Sequence, residues 1–220
     1  MGLLDRYFNL RRFRLFVIIT ACYLLIYWLS KSVLINDIVF YNSFSEQLSY
    51  ERSMKLFEEL KRLSWINYVF LPLMLIIKFT LISIVLYAGV FFCNLQKEIS
   101  FSGIFRIVTA CEIIFVFAGL TKFLWFYLFA GNYDLNDINF FYPLSLINLF
   151  NESEVRKFWI FPLQSVNIFQ MIYIFTLSVG LTKAGAIEKA KSEKVVIYSY
   201  MPALLFWVVL IMFITIDSSL

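Results

Sequence analysis

The chain has 220 residues, of which 61% are apolar and only 15% charged, against ~25% charged in an ordinary soluble domain. One soluble core of this size cannot hide so much apolar surface. The net charge of +4 is spread over loops and ends, without the basic–aromatic platform that nucleic acid requires. The absence of histidine excludes Ser-His-Asp triads, Cys-His pairs, HExxH zinc sites and His-ligated haem.

A helix needs about 20 apolar residues to cross the hydrocarbon of a bilayer. Five stretches meet this, at residues 15–35, 65–93, 103–129, 159–181 and 195–216. Backbone in lipid must satisfy its own hydrogen bonds, so each stretch is expected to be a helix. The predicted fold is therefore all-α: one polytopic transmembrane helix bundle with five spans. The first stretch is longer than a signal-peptide core and ends in Trp28-Leu29-Ser30-Lys31 without a small-residue cleavage site, so it reads as a retained anchor.

Two long connections separate the spans. Residues 36–64 place Tyr50, Met54, Phe57 and Leu60 at helical spacing among charged residues, the pattern of an amphipathic helix that continues the second span or packs on the neighbouring loops. Residues 130–158 contain Phe140-Phe141-Tyr142-Pro143-Leu144, an aromatic, proline-broken segment suited to the membrane interface. Orientation follows from the basic residues. With the N-terminus in the cytoplasm, the inner side holds Arg6, Arg11, Arg12, Arg14, Lys97, Lys183, Lys189, Lys191 and Lys194. The outer side holds Arg52, Lys55, Lys61, Arg62, Arg156 and Lys157. N-terminus inside and C-terminus outside is thus preferred, with the reverse as the alternative.

Spans two and three resemble spans four and five, which suggests a tandem repeat of two helical hairpins. Leu71-Pro72-Leu73 opens the first hairpin and Phe161-Pro162-Leu163 the second, and Gly89 and Gly180 lie near the far ends of their first helices. Pro72, Gly89, Pro162, Gly180 and Pro202 are the candidate packing or hinge positions.

Ionisable groups inside spans are costly, so each needs a reason. Lys31, Lys122 and Arg106 lie close enough to span ends to snorkel. Lys78 and Glu112 do not. Counting 1.5 Å per residue, Glu112 lies roughly 13 Å, Gln170 roughly 16 Å and Lys78 roughly 22 Å from the cytoplasmic ends of their spans. Lys78 and Glu112 are therefore expected to pair, with Gln170 in the same polar layer, either to fix helix register or to form an ion or proton site. Cys22, Cys93 and Cys111 sit in separate apolar stretches and read as buried hydrophobes. No phosphate loop or metal motif occurs, and no cofactor is expected. Asp134 with Asp137, and Glu152 with Glu154, read as solvated loop acids rather than catalytic pairs.

The C-terminal half resembles the Yip family of five-span, Rab/Ypt-interacting membrane proteins, including its prokaryotic members. The resemblance rests on Tyr142-Pro143-Leu144, on Val166-Asn167-Ile168-Phe169-Gln170-Met171-Ile172-Tyr173, on Val179-Gly180-Leu181, on Glu188-Lys189-Ala190-Lys191 and on Ser100-Phe101-Ser102-Gly103-Ile104-Phe105. It covers roughly residues 70–216. It implies five spans with the N-terminus inside and a non-enzymatic membrane organiser or partner-binding component. Two features depart from the family. The first span begins within about 14 residues, where eukaryotic members carry a longer N-terminal segment, and the amphipathic helix before span two is an addition.

The sequence thus predicts an integral protein of a bacterial inner membrane, whose partners are the bilayer and other membrane proteins or copies of itself. The alternative is a small channel, permease subunit or membrane-acting effector with a polar path at Glu112, Lys78 and Gln170.

Overall fold

The computed structural model describes residues 12–45, 49–185 and 187–217. These residues are overwhelmingly helical, and the described part contains no strand beyond one isolated antiparallel bridge, Ser145 with Asn167. Four helical runs are long and apolar enough to cross a membrane: Arg12–Leu34, Trp65–Phe92, Phe101–Leu128 and Lys189–Ile216; a fifth apolar helix, Ile168–Lys183, is shorter. Arg6 and Arg11, which contribute to the charge asymmetry, lie outside the described residues, as does the tail after Asp217.

Helix α1 (Arg12–Leu29) runs into a π-turn, Ser30–Leu34. Helix α2 (Asp37–Phe44) is started by Asn36, whose side chain accepts from the Val39 N–H at 2.9 Å. The amphipathic helix α3 (Tyr50–Leu63) follows the first of its two expectations and continues the second apolar stretch. Ser64 keeps helical angles, so α3 runs directly into α4 (Trp65–Phe92), and Phe57 packs on Phe40 of α2 with ring centroids 5.0 Å apart.

The third span is α5 (Phe101–Cys111) and α6 (Ile113–Leu128), joined at Glu112. It is the central element. Of its most apolar stretch 56% is buried, against 17–22% in the other three long runs. Helix α5 packs against α1, α4 and α9, where α9 is Ile168–Gly185. Its inward residues Ile104, Ile107 and Val108 meet Phe79, Leu86, Leu177 and Leu181 in one core. The outward faces carry exposed Val69, Phe92, Leu205, Phe206 and Phe213, the distribution expected of helices dissolved in lipid.

The fourth stretch departs from the continuous span expected at 159–181. It is two helices, α8 (Lys157–Ser165, after the short α7, Leu135–Phe140) and α9, broken at Val166 and Asn167. The break is stabilised from both sides. Asn167 Nδ2 donates to the carbonyls of Gln164 and Ser165, and its Oδ1 accepts from the Gln170 N–H at 2.7 Å. The loop before α8 supplies backbone partners, Leu146 N–H to Val166 O at 3.0 Å and Ile168 N–H to Leu144 O at 3.1 Å. Gln164 Nε2 holds the end of α7 against the same region, donating to the carbonyls of Asn139 and Phe140. Irregular backbone in an apolar setting persists when protein groups satisfy it in this way.

The fifth run is α10 (Lys189–Val195), a π-turn at Val196–Tyr200 and α11 (Met201–Asp217). Pro202 is the second residue after the π-turn. A proline cannot donate to the carbonyl four residues back and its ring crowds that carbonyl, so widening the preceding turn accommodates it. This π-turn packs on α4, and α11 packs on α8. Helix α4, the α5–α6 run, the α8–α9 pair and the α10–α11 run therefore close a ring, with α1 outside against α5 and α6.

Candidate functional site: a polar layer in the helix bundle

Glu112 is completely buried where α5 meets α6. Its Oε1 accepts from Lys78 Nζ of α4 at 2.5 Å and from the Tyr23 hydroxyl of α1 at 2.7 Å, so one carboxylate oxygen joins three spans. The Lys78 ammonium also sits 4.5 Å from the centre of the Phe115 ring. Pairing of Lys78 with Glu112 is as expected from their depths. At 1.5 Å per residue, Tyr23, Glu112 and Tyr200 each lie about 16 Å from Arg12, Phe101 and Lys189, the starts of their helical runs.

Gln170 belongs to the layer but not to the carboxylate. Its Nε2 donates to the Tyr200 hydroxyl at 3.0 Å, linking α9 to the fifth run. Tyr173, one turn further along α9, is fully buried between Phe115 and Tyr200, with ring centroids 4.9 and 5.7 Å away. Two atoms in this layer, Glu112 Oε2 and the Tyr173 hydroxyl, are buried without a hydrogen-bond partner among the described residues. The loop before α8 reaches toward the same place. The Tyr142 hydroxyl is pushed up to about 12, by burial first and then by the negative field of Glu112.

The layer is thus built mostly of tyrosines that the sequence reading passed over. With 13 Tyr among 26 Phe, one tyrosine carries little signal. The usable clue is position, a hydroxyl placed mid-span where Phe would cost nothing.

The other predicted positions have packing roles. Gly89 lies under the π-turn, where a Cβ would come 2.6 Å from Ser199 Oγ and 2.7 Å from Ser199 Cβ. Gly180 is buried within α9. Pro72 is the eighth residue of α4, which begins at Trp65. Pro162 lies inside α8, four residues before the break, and its carbonyl accepts from the Val166 N–H at 3.3 Å.

Two open cavities lie at opposite ends of the bundle. One is lined by Asn36, Asn42, Asn132 and Tyr133 with their apolar neighbours, the other by Arg12, Ser102 and Arg106; neither includes Lys78, Glu112 or Gln170. The loop acids serve local structure. Asp134 and Asp137 form a reciprocal capping box that starts α7, and Glu154 accepts from Asn151 at 3.1 Å. Among the described residues no cluster of three or more His, Cys, Asp or Glu side chains has the makings of a metal site, and Cys22, Cys93 and Cys111 are free thiols. Comparison with family models, with curated proteins and with solved structures finds no match for this chain.

Proposed function

We propose that the chain is a five-span, non-enzymatic membrane protein that works by assembly, with a second copy of itself or with another membrane protein. The resemblance to the Yip family points to the same organiser role, in a bacterial inner membrane with the N-terminus in the cytoplasm. The ring formed by spans two to five, in which three packs on four as five packs on two, is the arrangement a tandem repeat of two hairpins would produce.

Lys78 carries the proposal. Glu112 is fully enclosed, but 41% of the Lys78 side chain is open at the surface of the bundle, about midway along α4. A lysine at the middle of a span costs ~2.5–3.5 kcal/mol on insertion scales, so covering the open part of this side chain is favourable. Met74, Ile77 and Leu81, exposed around it, offer an apolar face for a neighbouring helix. A partner on this face covers the open side of Lys78 while leaving the Glu112 contact intact. Light scattering of the protein in mild detergent and in nanodiscs, with crosslinking through Leu81→Cys in a chain whose own cysteines are replaced, tests it. Assembly gives a mass above one chain, or a co-purified membrane protein, and a crosslink at Leu81. A single chain alone in both media would refute it.

A second reading is favoured by the two buried, unpartnered oxygens, Glu112 Oε2 and the Tyr173 hydroxyl. In that reading they accept a proton or a water on a polar path. Ion flux in vesicles that is lost in Glu112→Gln but kept in Lys122→Gln would select it.

A further inference from the structure

The cavity beside Arg12 is about 480 Å³ and is lined by Arg12, Phe13, Ser100, Ser102, Gly103 and Arg106. It places two arginines around one cavity at the start of the third span, and none of these lining residues is an acid. Arg12 is held in place, its Nη1 donating to Ser102 Oγ at 2.8 Å. Arg106 is not. Its Nε is buried and has no acceptor among the described residues. The wall between the two arginines is the first turn of α5, an 11-residue helix started by Ser100, whose Oγ accepts from the Gly103 N–H at 3.3 Å. α5 runs on into α6, so the dipole of a long helix also ends here.

We propose that this cavity binds a phosphate group. Two like charges with no counter-charge among the described lining residues repel one another, and an anion between them removes that repulsion. A phosphate fits better than a carboxylate. Its oxygens match the fork of a guanidinium two at a time, and further oxygens remain for the amides of a helix start. Arg12 opens the first span and Arg106 lies about 7 Å along α5 from Phe101, so the cavity sits at the depth where spans enter the bilayer and lipid phosphates lie. Phe13, 74% exposed at the rim, is placed to meet an acyl chain. The phosphate can come from an anionic lipid headgroup or from a free ion, and the two sources are separable.

The test is the unfolding midpoint of the delipidated protein in a maltoside detergent, titrated with inorganic phosphate, phosphatidic acid and zwitterionic phosphatidylcholine. Phosphatidic acid is expected to raise the midpoint saturably and phosphatidylcholine to do so at least tenfold more weakly. An equal effect of inorganic phosphate assigns the site to the free ion, and a much weaker one assigns it to the lipid. Arg106→Gln should weaken the response at least tenfold, while Lys97→Gln, a charge loss outside the cavity, should leave it unchanged. Ser102→Asp guards against misfolding. An acid in the first turn suits the helix yet repels phosphate, so a folded variant without the response is expected. No saturable effect of either phosphate on the wild-type protein, or an undiminished response in folded Ser102→Asp, would overturn the proposal.

Discussion

Lys78 Nζ and Glu112 Oε1 meet at 2.5 Å, yet the carboxylate is wholly enclosed while the ammonium's side chain stands partly at the surface. The pair is asymmetric. The third span hides the acid in the centre of the bundle, and the second brings the base to it from outside. Loss of the base leaves a buried charge with only the Tyr23 hydroxyl. Loss of the acid leaves a cation at the bilayer-facing surface. The double replacement, Lys78→Met with Glu112→Leu, should destabilise the protein in detergent less than the sum of the two single replacements. A coupling of about 1–3 kcal/mol is expected, and additive effects would dissolve the pair as an energetic unit.

Gly89 and Ser199 set the spacing between the second and fifth spans. Gly89→Ala drives a methyl group into Ser199, at 2.6 Å from Oγ and 2.7 Å from Cβ. The unfolding midpoint should fall, with a cost of about 1–3 kcal/mol. Ser199→Gly in the same chain should recover most of it, and Gly131→Ala, where a methyl would meet nothing within 4 Å, should be close to silent on packing grounds.

Asn167 holds the broken fourth stretch. Asn167→Ala removes its bonds to Gln164 and Ser165 and the cap on the Gln170 amide. The expected loss is about 1–2 kcal/mol. Protease cleavage should increase selectively within residues 141–156, the segment whose backbone pairs with the break. Uniform cleavage along the chain would show instead that the break is not a local joint.

The loop acids provide a pH dependence. Burial and then the charges of Asp137 and Asp134 raise Glu152 above the ordinary carboxylate range. A carboxyl raised by folding holds its proton more tightly in the native state, so its favourable contribution is present at low pH and is lost as pH rises through the raised value. From pH 4 to 7 the wild-type midpoint should fall relative to that of Glu152→Gln. Parallel profiles would remove Glu152 from the account.

What the sequence revealed depended on how rare each signal was. Charges inside apolar stretches are few, and a rise of 1.5 Å per residue was enough to put Lys78 within reach of Glu112. The same arithmetic gave Gln170 the right depth but said nothing about its direction around the helix, which is toward Tyr200. The tyrosines at 23, 142, 173 and 200 were hidden by an abundance of aromatic neighbours. The break at Val166 and Asn167 was hidden because Gln164, Ser165 and Asn167 are a few polar residues in an otherwise apolar stretch, and Pro162, four residues before Val166, reads as the opening of a helix. Its stability comes from Leu144 and Leu146, some twenty residues earlier in the chain, a contact that local pattern does not encode.

Five crossings remain the premise beneath the site, and the fourth is the crossing made by a broken helix. Single cysteines at Gln96, Asn132, Ser153 and Lys191, in a chain otherwise free of cysteine, test it by labelling intact cells with a membrane-impermeant maleimide. The account predicts that Asn132→Cys and Ser153→Cys react from outside, whereas Gln96→Cys and Lys191→Cys react only after the membrane is opened. Labelling of the Ser153 and Lys191 positions from the same side would contradict it.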